Sequence, residues 1–200
     1  MLDRWSNIFL NRKMQYISAF VPRNISANII TIFGFIIGLI AVVLISKKLY
    51  SMALVMIFLN RFFDGLDGAV ARRNGITDFG GYLDITCDFI FYSAVIFGFA
   101  LAEPEKNSIW AIFLIFSFVG TGTSFLAFAA IAKNHPLFLE VNGQKSLYFK
   151  DGLVEGTETV LFYILACMFP GYFPIFALIF GVLCWLTVFG RIRSAFSSLS

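Results

Sequence analysis

Apolar runs separated by short polar breaks recur along this chain and predict helices over 27–46, 50–72, 80–102, 108–131, 152–170 and 173–192. The first, fourth and sixth runs are hydrophobic throughout, whereas the second, third and fifth gather acidic groups at one end. Ahead of them, Leu2, Trp5, Ile8 and Phe9 recur at helical spacing opposite Asp3, Arg4, Asn7 and Asn11. Residues 1–22 therefore read as an amphipathic helix lying on a membrane surface. The expected fold is an all-α integral membrane protein. Six transmembrane helices over 27–192 follow the interfacial helix, in one domain covering 1–200.

Composition narrows the class further. The chain is 59% hydrophobic and only 14% charged, against roughly half apolar and a quarter charged in soluble domains. Lipid is the solvent that accommodates so much apolar surface. The net charge of +3 is small and its basic residues are scattered, which leaves a nucleic-acid partner without support. Cys87, Cys167 and Cys184 lie in apolar runs without metal-ligand spacing and read as buried small apolar side chains. No cleavable signal is expected, because the first twenty residues lack a compact apolar stretch with a small-residue cleavage site. The basic residues set the orientation. Twelve of the 15, from Arg4 to Arg193, fall on one side, and Lys47, Lys48 and Lys106 on the other. Both termini are thus expected in the cytoplasm.

The chemistry concentrates between Arg61 and Asp88, RFFDGLDGAVARRNGITDFGGYLDITCD. Asp64 and Asp67 are three apart, with Gly68 and Ala71 on the same helical face; Gly80, Asp84 and Asp88 follow at intervals of four. A short polar turn makes the two helices antiparallel, so the four carboxylates are expected to converge at the cytoplasmic membrane edge. Asp78, in the turn, reads as a solvated helix-end charge. Crowded carboxylates in a low dielectric repel, and each costs several kcal/mol to bury unpaired. They either become neutral or bind cations. All-oxygen ligands suit Mg²⁺ or Mn²⁺, and four carboxylates can bridge two such ions, which would stabilise a phosphoryl displacement. Arg72 and Arg73 are candidates to hold phosphate oxygens. Arg61, one turn before Asp64, either neutralises part of the cluster or touches a nucleotide.

The pattern Asp64-x-x-Asp67-Gly68-x-x-Ala71-Arg72, then Gly80-x-x-x-Asp84-x-x-x-Asp88, resembles the signature of the CDP-alcohol phosphotransferases at all eight defined positions. The resemblance covers nearly the whole chain and is strongest toward small bacterial members. It implies a bacterial inner-membrane homodimer in phospholipid biosynthesis. Such an enzyme transfers a substituted phosphate from a CDP-alcohol, CDP-diacylglycerol foremost, to a small or lipid alcohol and releases CMP. It further implies that Asp64, Asp67, Asp84 and Asp88 hold two metal ions and that Asp88 also takes the acceptor hydroxyl proton. Asp64, Asp67, Gly68, Ala71, Arg72 and Gly80 would line the CDP site, with Asn28 and Thr31 as further nucleotide contacts. Asn28 and Thr31, in Ala27-Asn28-Ile29-Ile30-Thr31, match a family run whose leading proline is missing here.

The acceptor is less legible. Family enzymes that use glycerol phosphate often carry lysines at the start of the fifth span, where this chain has Glu155 and Glu158. Read as one helical face with Asp151, these acids would repel an anionic acceptor unless Lys133, Lys145, Lys150, Arg191 or Arg193 compensates. An acceptor without net negative charge is therefore expected, with glycerol phosphate as the alternative. Lys133 and Arg191 join the two glutamates as acceptor-region candidates. His135 reads as a solvated loop residue. A rival class is a cation or proton transporter using the intramembrane acids. It leaves Gly68, Ala71 and Arg72 unexplained and would want acids near the bilayer midplane.

Overall fold

The computed structural model describes residues 13–132 and 154–199, and these are all-helical. A short helical stretch over 13–18 leads into α1 (Ala27–Ser46), α2 (Tyr50–Asn74), α3 (Asp78–Ala102) and α4 (Pro104–Ala132). After the segment 133–153 come α5 (Gly156–Met168), a 3₁₀ turn (Pro170–Tyr172) and α6 (Phe173–Leu199). Among the described residues, four stretches are long and apolar enough to cross a membrane: Ala27–Ser46, Asp78–Ala102, Pro104–Ile131 and Pro170–Ser197. The protein is an all-α integral membrane protein. α2 is long enough, at about 37 Å for 25 residues, but its second half is charged by Arg61, Asp64, Asp67, Arg72 and Arg73. α5 is apolar but short. The expected start of the fifth helix at 152 moves to Gly156.

Local chemistry explains the boundaries that frame the site. Ser26 caps α1, its hydroxyl accepting from the Ile29 N–H. α2 stops at Gly75, whose φ of +113° is open to glycine and strained for other residues. Thr77 then starts α3 by accepting from the Gly80 N–H at 3.0 Å. Asp78 is exposed in that first turn, where a negative charge complements the helix dipole. Only three residues separate α2 from α3, so the acid-bearing ends of both helices stay side by side.

α1 packs on α2 and α3, while α4 packs on α6 and α3. The first run is not a uniformly hydrophobic helix in function: it hides a stripe of small residues. A Cβ at Gly34 would lie 2.8 Å from Phe63 Cβ, and one at Gly38 would lie 2.6 Å from the Phe91 ring. These two glycines let α1 sit directly on its neighbours, the close approach that small residues permit between membrane helices. The opposite face of α1 carries Ile29, Phe33, Ile36, Ile40 and Val43, all exposed, as a lipid-facing surface requires. Gly181 does the same for α4 and α6, with Phe113 filling the space its side chain would take. Gly38→Leu should therefore overpack the α1–α3 contact and destabilise the protein by about 1–3 kcal/mol. The check is the melting temperature of the detergent-solubilised protein, which should fall while Ile36→Leu, on the exposed face, leaves it unchanged.

Candidate active site

The site forms where the C-terminal half of α2 faces the N-terminal half of α3. Carboxylate oxygens of Asp64, Asp84 and Asp88 lie within 4.8 Å of one another, each side chain partly buried. Asp67 stands beside this triad and is 4% exposed, with Oδ2 buried and lacking a hydrogen-bond partner. The expected convergence of four carboxylates thus resolves into a tight group of three and one deeper neighbour. All four line one small central cavity together with Thr31, Asn60, Arg61 and Cys87.

A cation is already present among them. Arg61 reaches Asp88 Oδ1 at 2.7 Å and Asp64 Oδ2 at 3.5 Å. Its remaining donors meet Asn60 Oδ1 at 2.8 Å and the Tyr92 hydroxyl at 2.9 Å. The guanidinium also lies over the rings of Phe91 and Tyr92, at 4.9 and 5.2 Å. Of the two roles open to Arg61 in the sequence, the geometry is that of neutralising the acids. Its supports run across the bundle. Asn60 Nδ2 donates to the Gly34 carbonyl at 2.9 Å, and the fully buried Tyr163 donates to the Tyr92 carbonyl at 2.9 Å. α1, α2, α3 and α5 are tied together through this one side chain and its partners. Tyr92 was not among the expected site residues, although it continues the four-residue stripe of Gly80, Asp84 and Asp88.

A cleft of about 420 Å³ opens on one side of the acids. Asn28, Thr31, Asp67, Gly68, Ala71, Arg72 and Gly80 all line it, with Arg23, Asn24 and Asp84. Those expected nucleotide contacts are thus brought together, and Asp64 alone of them lines the central cavity instead. Gly68 has a visible use, since the Arg72 guanidinium folds back to 3.3 Å from where a Cβ would stand. Gly80 has another: a Cβ there would lie 3.2 Å from Asn28 Oδ1, so glycine admits the asparagine. Arg73, also a candidate phosphate ligand, is used differently. It donates to the carbonyls of Ser18 and Val21 and so holds the segment before α1 against the end of α2.

A second cleft of about 400 Å³ lies on the other side, lined by Asp84, Asp88, Tyr92, Phe118, Thr121, Phe125, Glu155, Thr159 and Arg191. Asp84 borders both clefts. Arg191 donates to the Thr121 carbonyl at 2.9 Å and lies 5.7 Å from the Phe125 ring centre. Glu155 and Glu158 do not stand on the acidic helical face expected of them. Glu155 is the N-cap in extended conformation, and it accepts from the Glu158 N–H while Glu158 accepts from the Glu155 N–H at 3.2 Å. Such a reciprocal pair satisfies two helix-end donors, which is why Glu158 turns to its own helix and does not line the cleft. Glu155 does line it. Lys133, His135, Lys145, Lys150 and Asp151 lie outside the described residues.

Two clefts thus meet at a carboxylate cluster on a helical membrane scaffold. Residues 24–192 match the CDP-alcohol phosphatidyltransferase family, and the chain belongs to it. It is 50% identical over 170 residues to the inner membrane protein YnjF of Escherichia coli, covering 85% of this chain and 82% of that one. It is 28% identical over 172 residues to the archaetidylinositol phosphate synthase of Pyrococcus horikoshii, covering 86% and 84% respectively. The fold superposes with a TM-score of 0.74 on the crystal structure of Mycobacterium tuberculosis phosphatidylinositol phosphate synthase with CDP-DAG bound. That match has 21% identity and covers 91% of this chain and 92% of that one. The protein is a CDP-alcohol phosphotransferase of the membrane.

Proposed function

We propose that this enzyme transfers the phosphatidyl group of CDP-diacylglycerol to the hydroxyl of a small polar alcohol and releases CMP. The observation that carries the reading is the pair of clefts sharing Asp84. The nucleotide enters the cleft of Asn28, Thr31, Gly68, Ala71 and Arg72, and the acceptor enters the cleft of Tyr92, Glu155 and Arg191. The acceptor oxygen forms a bond to the phosphorus bearing the diacylglycerol, the bond to the CMP oxygen breaks, and the hydroxyl proton passes to the Asp88 carboxylate. Arg61, bonded to Asp88 Oδ1, fixes the direction of that carboxylate.

The residues fit a divalent ion. Three carboxylates within 4.8 Å offer hard oxygen ligands, and the orphaned Oδ2 of Asp67 is a buried acceptor with no protein donor. Asp64, Asp67, Asp84 and Asp88 would hold Mg²⁺ or Mn²⁺, two ions at full occupancy. Such ions supply charge neutralisation for the phosphates and the departing CMP.

In this reading the six helices form one membrane domain with both termini in the cytoplasm, and residues 13–22 lie on its surface, residues 1–12 of the expected interfacial helix being outside the described residues. The exposed Tyr16 and Phe20 support the last point. A homodimer is the assembly that family membership favours. A transporter fits less well, since it gives no use to the cleft that Gly68, Ala71 and Arg72 line beside the acids.

With Glu158 turned away, the Glu155 carboxylate at the N-cap of α5 and the Arg191 guanidinium on α6 both line the acceptor cleft. An acceptor without net negative charge remains the first reading. Arg191 favours a second, in which the acceptor is a phosphorylated polyol such as glycerol phosphate or inositol phosphate. The test is release of CMP from CDP-diacylglycerol by purified enzyme with Mg²⁺ or Mn²⁺. The acceptors supplied singly are glycerol, inositol, serine, ethanolamine, diacylglycerol, glycerol phosphate and inositol phosphate. At least one should stimulate release tenfold or more, and excess chelator should stop it. No release with any of them would overturn the proposed reaction; a best rate with a phosphorylated polyol would select the second reading.

A further inference from the structure

Arg61 is engaged more fully than a nearby counter-charge would be. Its side chain is 16% exposed and contacts Asp64, Asp88, Asn60 and Tyr92 through all its nitrogens, over two aromatic rings. Two of the carboxylates it occupies belong to the triad that would ligate metal. A guanidinium bonded to Asp88 at 2.7 Å occupies one of the two oxygens that Asp88 could offer an incoming cation. Each aspartate that ionises adds a negative charge here, and Arg61 offsets one such charge permanently, because a guanidinium stays protonated.

We propose that Arg61 is a resident cation of the acid cluster, which holds Asp64 and Asp88 in place without metal and competes with divalent ions for them. This rests on the metal-site reading above. Arg61 is a positioning residue: its partners Asn60 and Tyr92 keep the guanidinium in the bundle when a metal ion takes over a carboxylate oxygen. Metal binding is thereby weakened and made exchangeable, while the metal-free enzyme keeps its folded site.

The proposal makes two measurable quantities move in opposite directions. Arg61→Met keeps the apolar stem and removes the charge. In detergent or nanodiscs, Arg61→Met should bind Mn²⁺ at least tenfold more tightly than wild type. Its metal-free melting temperature should be lower, and the rise on adding Mn²⁺ larger. Arg61→Lys keeps the charge without the two-pronged geometry, so its Mn²⁺ affinity should lie between the two, and it serves if the methionine variant does not fold. A residue that merely supports the ligands would give the reverse sign, weaker Mn²⁺ binding on substitution. Unchanged or weakened Mn²⁺ binding in the variants, with wild-type binding that Asp84→Asn weakens, overturns the role of Arg61 alone. Wild-type protein that binds no Mn²⁺ sensitive to Asp84→Asn overturns the metal site and this role with it.

Discussion

Asp84→Asn is expected to lower CMP release at least a thousandfold while the protein stays folded. Asp84 is the one acid that borders the central cavity and both clefts, so its charge acts on donor and acceptor alike. A thousandfold loss corresponds to about 4 kcal/mol of transition-state stabilisation, a reasonable magnitude for a ligand of the charge-neutralising centre. Folding should survive because the amide is isosteric and the native arrangement crowds like charges. At separations of no more than 4.8 Å and an effective dielectric near 20, one ionised carboxylate pair repels by about 3 kcal/mol or more. Neutralising Asp84 relieves that repulsion, so the metal-free melting temperature should hold or rise. The measurements are turnover with Mg²⁺ and thermal unfolding with and without Mn²⁺. Activity within tenfold of wild type, or a variant that no longer folds, would remove Asp84 from the proposed role.

Asp88→Asn should reduce kcat by about a hundredfold or more while leaving affinity for CDP-diacylglycerol within a few-fold. A proton acceptor acts in the chemical step, whereas the donor cleft does not include Asp88. The structure adds a second consequence. Asp88 carries the 2.7 Å bond from Arg61 and a 3.4 Å bond from the Tyr92 hydroxyl, so the amide leaves a largely buried guanidinium with a poorer partner. A fall in melting temperature should therefore accompany the loss of kcat, unlike Asp84→Asn. Equal losses in donor affinity and turnover would make Asp88 a metal ligand without a role in proton transfer.

Of the two roles open to Arg61, its ion pairs with Asp64 and Asp88 are those of a neutralising cation. The position of Arg61, one turn from Asp64, admitted either a nucleotide contact or an ion pair. Which one forms depends on the rotation of α2 against α3 and on Tyr92 and Asn60 being there to hold the side chain. Glu155 and Glu158 mislead for a similar reason. Spacings of four and three imply a common face only inside a helix, and α5 begins after Glu155.

By itself, the sequence determined the helical membrane class, the bounds of α1 and the pairing of Asp64 and Asp67 with Asp84 and Asp88. These follow from apolar run length and from helical periodicity within single elements, which are local properties. Tertiary structure alone decided that Asp67 sits deeper than the other three acids and that Asp84 borders two clefts. It also decided that Arg73 braces the segment before α1, and that Gly34 and Gly38 seat α1 against Phe63 and Phe91. Each of these depends on how far apart neighbouring helices stand and which side chain fills the gap, and that distance is set by packing between residues remote in the chain.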